Sequence, residues 1–314
     1  MRRLFILALA LAFSLSTFML SGCRAQEQRP KGAPSEEPNI SLFINDTGEK
    51  KDIAFEEYLM GVVAAEMEPT WPENALAAQA ILARTFTMEN IDAGRVRDLH
   101  GTDASTSVEE FQAYDPTRIN DNVRTAVETT RGQVVTSDGR YIKAWFSASC
   151  GGITATPEEG LNFTEEPVPY IKSQVKDPGI SITVPENRGW EKAIPAAQVC
   201  QAINDITGSD PGDLASVKVE EWGPSGRAQK IRFNDQVVAG PEFRIAVGSE
   251  MLRSTFLTGE PRIDGDNVVF EGKGFGHGVG MCQWGANKLA RDGKTPEEII
   301  NFYFQNVQIQ KLWS

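Results

Sequence analysis

Two stretches between residues 55 and 90 carry the clearest helical pattern of hydrophobic and polar positions in the chain. Apolar residues recur at steps of three and four in residues 55–67, which predicts an amphipathic helix. Residues 68–72 break the pattern, and Pro72 fits the first turn of a second, alanine-rich helix that runs to about residue 90. The predicted buried faces of the two helices comprise Phe55, Leu59, Val62 and Val63 in the first, and Leu76, Gln79, Ala80, Ala83 and Phe86 in the second.

The remainder of the chain alternates between short helical patterns and strand patterns joined by turns. Further helices are predicted at 121–130, 195–206, 283–291 and 296–304. Strands are predicted at 40–44, in hairpins at 133–146 and 217–233, and at 243–247, 255–258 and 268–270. Residues 91–115 are predicted to form an irregular loop. The proline-rich residues 157–189 are predicted to be a long excursion from the regular elements or a domain boundary. The pattern predicts an α+β fold with helices at the ends and β-hairpins between them.

One carboxylate lies on or beside the apolar face of the first helix. Glu66 follows the run of small and apolar residues 61–65. A glutamate on a buried face is paired, neutral or reactive, because an isolated charge is costly to remove from water. The helical pattern alone leaves open a structural glutamate with a partner and a reactive acid.

Composition and charge narrow the class of protein. The chain has 314 residues, of which 40% are hydrophobic and 24% charged, as in ordinary globular proteins. Its formal net charge is −12. Such an acidic chain is a poor partner for nucleic acid, and it has no basic patch for an anionic lipid surface.

The first 22 residues are predicted to be a lipoprotein signal peptide. Arg2 and Arg3 precede an apolar run, and residues 20–23 (LSGC) resemble the lipobox of bacterial lipoproteins, with Cys23 as the lipidated residue. A transmembrane anchor is the alternative, since the apolar run is near the lower limit for a span. Residues 23–38 are predicted to be a flexible tether. The protein is therefore expected to be exported and anchored to a membrane, facing the periplasm or cell wall.

The cysteines and histidines are few and scattered. Beyond Cys23, the odd number of cysteines allows at most one disulfide among Cys150, Cys200 and Cys282. With only His100 and His277 and no C-x-x-C pair, a closed structural zinc site is not expected. A thiol nucleophile formed by Cys150 and His277 remains an alternative.

The glycine-rich loop at 272–280 matches neither nucleotide-binding pattern, because its glycines fall at every second position. Its backbone would suit a close approach to polar groups such as sugar hydroxyls, or a sharp structural turn. His277 lies in its middle, either as a donor to substrate or as an ordinary loop residue.

Several blocks, taken together and in order, resemble the stage II sporulation protein D (SpoIID) family, which includes the amidase-enhancer LytB proteins. The blocks are residues 57–67, 71–80, 83–86, Ser147 with 151–154, 243–244 and 276–286. The resemblance implies a two-lobed fold with a cleft between the lobes, in which residues 39–314 form the catalytic region and about 157–250 the second lobe. It also implies a lytic transglycosylase that cuts peptidoglycan strands, preferably those stripped of peptides by an amidase partner.

The resemblance assigns the catalytic acid to Glu66 and places Arg84 in the same cleft. Arg84 is expected to contact substrate, together with Gln79, Ser147, Gly151, Gly152, His277 and Gln283. Some family members hold zinc through His and Cys residues in the loop before a Q-x-Y motif, which is Gln112-Ala113-Tyr114 in this chain. Here only His100 is present there, so no metal and no cofactor are expected. A non-enzymatic wall-binding enhancer of an N-acetylmuramoyl-L-alanine amidase is the alternative function.

Overall fold

The computed structural model describes residues 29–314, and these form ten α-helices and fourteen short strands. The predicted signal peptide and Cys23 lie outside the described residues. The helices are α1 (Phe55–Glu66), α2 (Glu73–Ala93), α3 (Arg95–His100), α4 (Asp121–Thr129), α5 (Pro157–Leu161), α6 (Pro185–Arg188), α7 (Ala196–Thr207), α8 (Gly240–Val247), α9 (Gln283–Arg291) and α10 (Pro296–Tyr303).

The strands form five small sheets, with orders β2-β1-β3, β10-β9-β8, β11-β12-β7, β13-β6 and β14-β4-β5. Pairing is antiparallel except between β1 and β3 and between β6 and β13. Helices and small, mostly antiparallel sheets are thus mixed, which confirms the α+β class. The strands are β1 (Asn39–Ile44), β2 (Glu49–Ala54), β3 (Ala104–Ser105), β4 (Gln133–Ser137), β5 (Arg140–Tyr141), β6 (Phe146–Ser147), β7 (Trp190–Pro195), β8 (Val217–Trp222), β9 (Ala228–Phe233), β10 (Gln236–Ala239), β11 (Arg262–Asp264), β12 (Asn267–Gly272), β13 (Met281–Cys282) and β14 (Gln308–Lys311).

Two clusters of buried apolar side chains account for the core. The larger one is centred on α2, which packs against α1, α4, α9, α10 and β4. Its alanines at 75, 78, 80 and 83 are fully buried, so neighbouring helices can approach the α2 backbone closely. The smaller cluster is built from residues 190–270 and includes the side chains of Ile231, Phe233, Phe243 and Phe270.

The strongest sequence patterns gave the right elements, with boundaries within about three residues. Helices α1, α2, α4, α7, α9 and α10 and the β8–β9 hairpin are all confirmed. In the predicted hairpin at 133–146 only β4 and β5 pair with each other, around a turn at Asp138 and Gly139 with positive φ. The segment 142–145 leaves that sheet, and β6 pairs with β13 instead.

The predicted strand at 243–247 is wrong, because this segment lies in helix α8. Pro241 occupies the first turn, where its missing N–H has no cost. Phe243 and Val247 are buried four residues apart, whereas Ile245 is 60% exposed. That is the burial of a helix face rather than the alternation of a strand.

Two other segments carry structure that the sequence reading did not predict. Strand β2 pairs antiparallel with β1 and presents charged residues at the edge of its sheet, which hid its strand character. The loop predicted at 91–115 contains α3 and β3. No helix within residues 29–314 has the length and apolar character needed to cross a bilayer.

The described part of the predicted tether contacts the folded region. Arg29 donates to the carbonyl of Leu312 (3.1 Å), and Pro30 is buried. Glu37 accepts from the backbone N–H of Glu56 (2.9 Å) and pairs with Arg131. Residues 29–38 thus contact the first turn of α1, Arg131 and Leu312.

Candidate active site

Glu66 is the last residue of α1 and is half-buried there. Its Oε1 accepts a hydrogen bond from the backbone N–H of Ala113 (2.9 Å). Its Oε2 accepts one from the side-chain amide of Gln283 (3.1 Å). The ion pairs among residues 29–314 do not include Glu66, so its carboxyl group is held by uncharged donors alone.

Burial raises the pKa of Glu66 above its ordinary value, and the two hydrogen bonds from Ala113 and Gln283 oppose that shift. A position at the carboxyl end of a helix also disfavours negative charge, because the helix dipole is negative there. The upward shift in the pKa of Glu66 is therefore caused by burial rather than by a neighbouring charge. A carboxyl group in this setting keeps its proton to higher pH and can act as a general acid.

Two glutamines stand beside this carboxyl group. Gln283, the first residue of α9, directs Nε2 both to Glu66 and, at 3.4 Å, to Oε1 of Gln79 on α2. Gln79 is fully buried, and its own Nε2 has no hydrogen-bond partner among the described residues. The structure thus brings together three of the residues expected at the site, from three different helices.

Arg84 differs from the expectation that it contacts substrate. Its side chain is fully buried on α2 and binds Glu56 through two hydrogen bonds, of 3.1 Å and 2.6 Å. Its Nη1 also donates to the carbonyl of Gln133 (2.9 Å). Glu56 in turn accepts from the indole of Trp313 (2.9 Å) and the backbone N–H of Gly132 (3.0 Å). The guanidinium therefore has no exposed surface to offer a ligand and joins α1, α2 and the chain terminus.

The segment after β6 and the glycine-rich loop lie side by side, because β6 pairs in parallel with β13. Ser147 is buried, and its Oγ accepts from the backbone N–H of Gly278 (3.1 Å). Gly151 and Gly152 both have positive φ, of 70° and 99°, so they shape the backbone where it passes the loop. Ser147 and the two glycines thus shape the local backbone, and their contact with substrate stays a prediction.

His277 is half-buried in the glycine-rich loop, and its Nδ1 accepts from the backbone N–H of Val279 (3.1 Å). Burial, with a contribution from nearby Arg244, lowers the pKa of His277 to about 3. The imidazole is therefore neutral at physiological pH. The thiol-nucleophile alternative also loses support, because Cys150 is buried and its sulfur faces Asp177 and Cys282.

Two family models and several known proteins match this chain. A family model described as Stage II sporulation protein matches residues 45–137, and one described as a domain of unknown function matches residues 163–280. An uncharacterized protein of Brachyspira hyodysenteriae is 30% identical over 260 residues, covering 82% of this chain and 67% of its own. Stage II sporulation protein D of Bacillus subtilis is 29% identical over 305 residues, covering 87% and 79%.

The chain belongs to the stage II sporulation protein D family. A further relative, named Amidase enhancer, from Bacillus subtilis, is 28% identical over 294 residues. That match covers 78% of this chain but only 39% of the relative, so the enhancer is a considerably longer protein.

Within this SpoIID-family chain, the matched region 45–137 contains Glu66, Gln79 and Arg84 on two adjacent helices. Gln283 lies beyond both matched regions and reaches Glu66 from α9.

The structure also shows an aromatic pair near the SpoIID-family site, and two polar contacts there that sequence reasoning missed. The indole rings of Trp71 and Trp284 are half-exposed, and their centroids lie 4.7 Å apart. Trp284 directly follows Gln283, and Trp71 lies in the segment that follows α1. The backbone N–H of Ala113 comes from a segment with no periodicity, and no sequence signal points to it. The hydrogen-bonding role of Asp177, in the proline-rich excursion, was equally hidden.

Proposed function

We propose that this protein is a peptidoglycan lytic transglycosylase that cuts glycan strands, preferably peptide-stripped ones, with Glu66 as its acid and base. Membership in the stage II sporulation protein D family supports a role at the cell wall. The observation that carries the finer proposal is the setting of Glu66. Its carboxyl group is partly buried and, within residues 29–314, has no charged partner and is bound only by the Ala113 and Gln283 amides.

This setting suits a reaction that needs one carboxyl group rather than two. Protonated Glu66 gives its proton to the glycosidic oxygen as the bond from that oxygen to C1 breaks. The resulting carboxylate then removes the proton of the sugar's own 6-hydroxyl while that oxygen bonds to C1, which yields a 1,6-anhydro end. Hydrolysis by the two-carboxylate route would need a second acid at a fixed separation. The pKa of Glu66 is shifted by burial rather than by a neighbouring carboxylate, which favours the single-acid route.

The surroundings of Glu66 also offer groups that suit a sugar chain. Trp71 and Trp284 are both half-exposed, and aromatic faces of this kind bind apolar sugar faces while the indole N–H remains a donor. Gln79 keeps a free amide donor beside Gln283. Because both glutamines are buried, we assign Gln79 and Gln283 to the positioning of Glu66.

The decisive experiment compares Glu66→Gln with Glu68→Gln on amidase-treated cell wall. Glu68 lies two residues away and is exposed, so its substitution leaves the site intact. Mass spectrometry should detect anhydro-ended fragments from the wild type and from Glu68→Gln, and none from Glu66→Gln. Release of anhydro ends by a folded Glu66→Gln protein would overturn the assignment. Hydrolysed ends in place of anhydro ends would show a glycosidase instead.

The alternative is a non-enzymatic role in stimulating a cell-wall amidase, and the relative named Amidase enhancer supports it. Under this alternative the purified protein releases nothing from bare glycan. It would stimulate an N-acetylmuramoyl-L-alanine amidase equally well with Glu66 or Gln at position 66. The same pair of variants therefore separates the two functions.

We also propose that the chain is exported and attached to a membrane by lipid on Cys23, facing the periplasm or cell wall. The sequence around residues 20–23 supports this proposal. Labelled palmitate should enter the wild-type protein in bacterial cells and should be absent from Cys23→Ser. Labelling of that variant at the wild-type level would contradict lipidation at this position.

A further inference from the structure

Three buried side chains outside the Glu66 site converge on one point. The sulfurs of Cys150 and Cys282 and a carboxylate oxygen of Asp177 all lie within 4.8 Å of one another. All three residues are buried. Thiolate sulfur and carboxylate oxygen are ligands that zinc accepts in proteins, and bonds of about 2.0–2.3 Å to each would fit ligand atoms this close together.

The fold holds these residues by three separate segments. Cys282 belongs to β13, and its parallel pairing with β6 brings it beside the turn that contains Cys150. The backbone N–H of Cys150 lies 3.3 Å from the Cys282 sulfur. Asp177 is fixed to the same turn because its backbone N–H donates to the carbonyl of Gly152 (3.0 Å). The cluster is therefore positioned by backbone pairing before any ligand binds.

The packing around Asp177 keeps the cluster enclosed and supplies a further oxygen. The hydroxyl of Tyr303 donates to Asp177 Oδ2 (2.6 Å), and Oδ1 accepts from the backbone N–H of Gly179 (2.9 Å). A Cβ at Gly285 would overlap both Asp177 Oδ2 and the Tyr303 oxygen, so the start of α9 passes directly against the cluster. The Tyr303 hydroxyl thus contacts the carboxylate of the cluster directly.

We propose that Cys150, Asp177 and Cys282 form a binding site for a zinc ion. Two thiol protons leave as the ion binds, so two H⁺ are exchanged for one Zn²⁺ and the net charge of the buried cluster is unchanged. Three protein ligands leave a fourth position for water or for the Tyr303 oxygen. This site is separate from His100, which stacks on Phe43 and contacts Glu110.

A buried cation also lies beside the cluster. Arg227 is almost fully buried, and its Nη2 donates to the carbonyl of Cys150 (2.7 Å). The ion pairs found among residues 29–314 include none with Arg227, and its favourable electrostatic partners are Cys150, Glu159 and Cys282. A buried guanidinium is costly without nearby negative charge. Because two thiol protons are exchanged for one Zn²⁺, the net charge beside Arg227 is the same with and without the ion, so this cation does not oppose zinc binding.

Zinc here would stabilise the segment that positions the proposed acid. Cys282 directly precedes Gln283, whose amide binds Glu66. A metal bond to Cys282 would fix the first turn of α9 relative to the Cys150 turn and Asp177. The site is structural, and its occupancy is measured without reference to glycan cleavage, so it stands or falls independently of the proposed function.

The test measures metal content in the full-length chain, purified under reducing conditions without chelator. We expect close to one zinc ion per chain by mass spectrometry of the elements, and a thiolate-to-metal absorption band after replacement by cobalt. Cys200→Ser is the matched control, since Cys200 lies on α7 and should leave both readings unchanged. Cys150→Ser and Cys282→Ser should each weaken zinc binding at least about tenfold.

The nearly isosteric Asp177→Asn protects the test against a folding failure of the cysteine variants. It should retain the wild-type circular dichroism spectrum and bind zinc at least about tenfold more weakly. Wild-type protein that takes up no zinc, or that binds zinc equally well with Asn at 177, would overturn the proposal. A disulfide between Cys150 and Cys282 in the exported protein, seen by peptide mass mapping, would do the same.

Discussion

The side-chain amide of Gln283 lies 3.1 Å from Oε2 of Glu66, although 217 residues separate them along the chain. The contact joins the first turn of α9 to the last residue of α1. It gives a partly buried carboxyl group a donor that carries no charge, so the pKa of Glu66 stays raised by burial while its orientation is fixed.

Replacing Gln283 by Ala should therefore change both rate and pH dependence. The amide hydrogen bond lowers the pKa of Glu66, so its loss should raise that pKa further. The rate limb that falls as Glu66 loses its proton should move to higher pH. The maximal rate should drop about tenfold because the acid is less well positioned. The pH profile of anhydro-fragment release measures both effects.

Gln201→Ala is the control for this prediction, because Gln201 is exposed on α7. A Gln283→Ala enzyme with an unchanged pH profile would show that the amide does not act on Glu66.

Glu66→Gln should be more stable than the wild type at neutral pH while it loses activity. Because the folded-state pKa of Glu66 is raised, folding favours its protonated form. Its contribution to stability is complete below the unfolded pKa, near 4.5, and is lost as pH rises through the folded-state pKa. Glutamine carries no charge, so the denaturant midpoint of the variant should exceed that of the wild type increasingly above pH 4.5.

Denaturant unfolding at several pH values between 4 and 8 measures this difference. A variant that is less stable than the wild type at pH 8 would indicate that ionised Glu66 is stabilised in the fold.

Arg84→Met should destabilise the protein by about 3–5 kcal/mol, because it leaves Glu56 buried without its cation. Chemical denaturation gives this value. Arg118→Met is the matched control, since Arg118 pairs with Glu68 at the surface, and its loss should cost less than about 1 kcal/mol. An Arg84→Met protein with wild-type stability that bound no glycan would instead support the expectation that Arg84 contacts substrate.

Trp284→Ala should weaken binding of peptide-free glycan oligomers with little effect on the maximal rate. The half-exposed indole pairs with Trp71 beside the site and would lose its stacking face. We expect KM to rise about tenfold, which corresponds to about 1.4 kcal/mol of binding free energy. Trp222→Ala is the control, because Trp222 lies on β8 and is 42% exposed. Equal KM values for the two variants would remove Trp284 from the binding surface.

The sequence could predict the elements around the site because their patterns are strong and local. The steps of three and four through Phe55, Leu59 and Val62 placed α1 and put Glu66 at its buried edge, where the structure has it. Helix α9 was predicted with its observed limits. The short segment at 243–247 was misread because five residues with four apolar positions fit a strand or a helix equally well, and only burial distinguishes them.

The partners of the site residues were beyond the reach of the sequence. Arg84 finds Glu56 at a separation of 28 residues, and Glu56 finds Trp313 at a separation of 257. No periodicity connects such residues, because tertiary packing alone brings them together. The burial of Arg84 against Glu56 could not be predicted for this reason, whereas the position of Glu66 at the end of α1 follows from the pattern of its own helix.

The two-residue parallel pairing of β6 with β13 has a topological consequence. Residues 146–147 and 281–282 are neighbours. The chain between them contributes Cys150, Ala155 and Ile171 to the larger core, then leaves it and returns beside its starting point. The smaller core, built from residues 190–270, lies entirely inside this closed loop. We expect it to open as a separate cooperative unit in native-state hydrogen exchange, while α1, α2 and α9 keep their protection. Glu66 and Gln283 would then keep their hydrogen-bonded geometry while the smaller core, on the far side of the β6–β13 pairing, opens and closes.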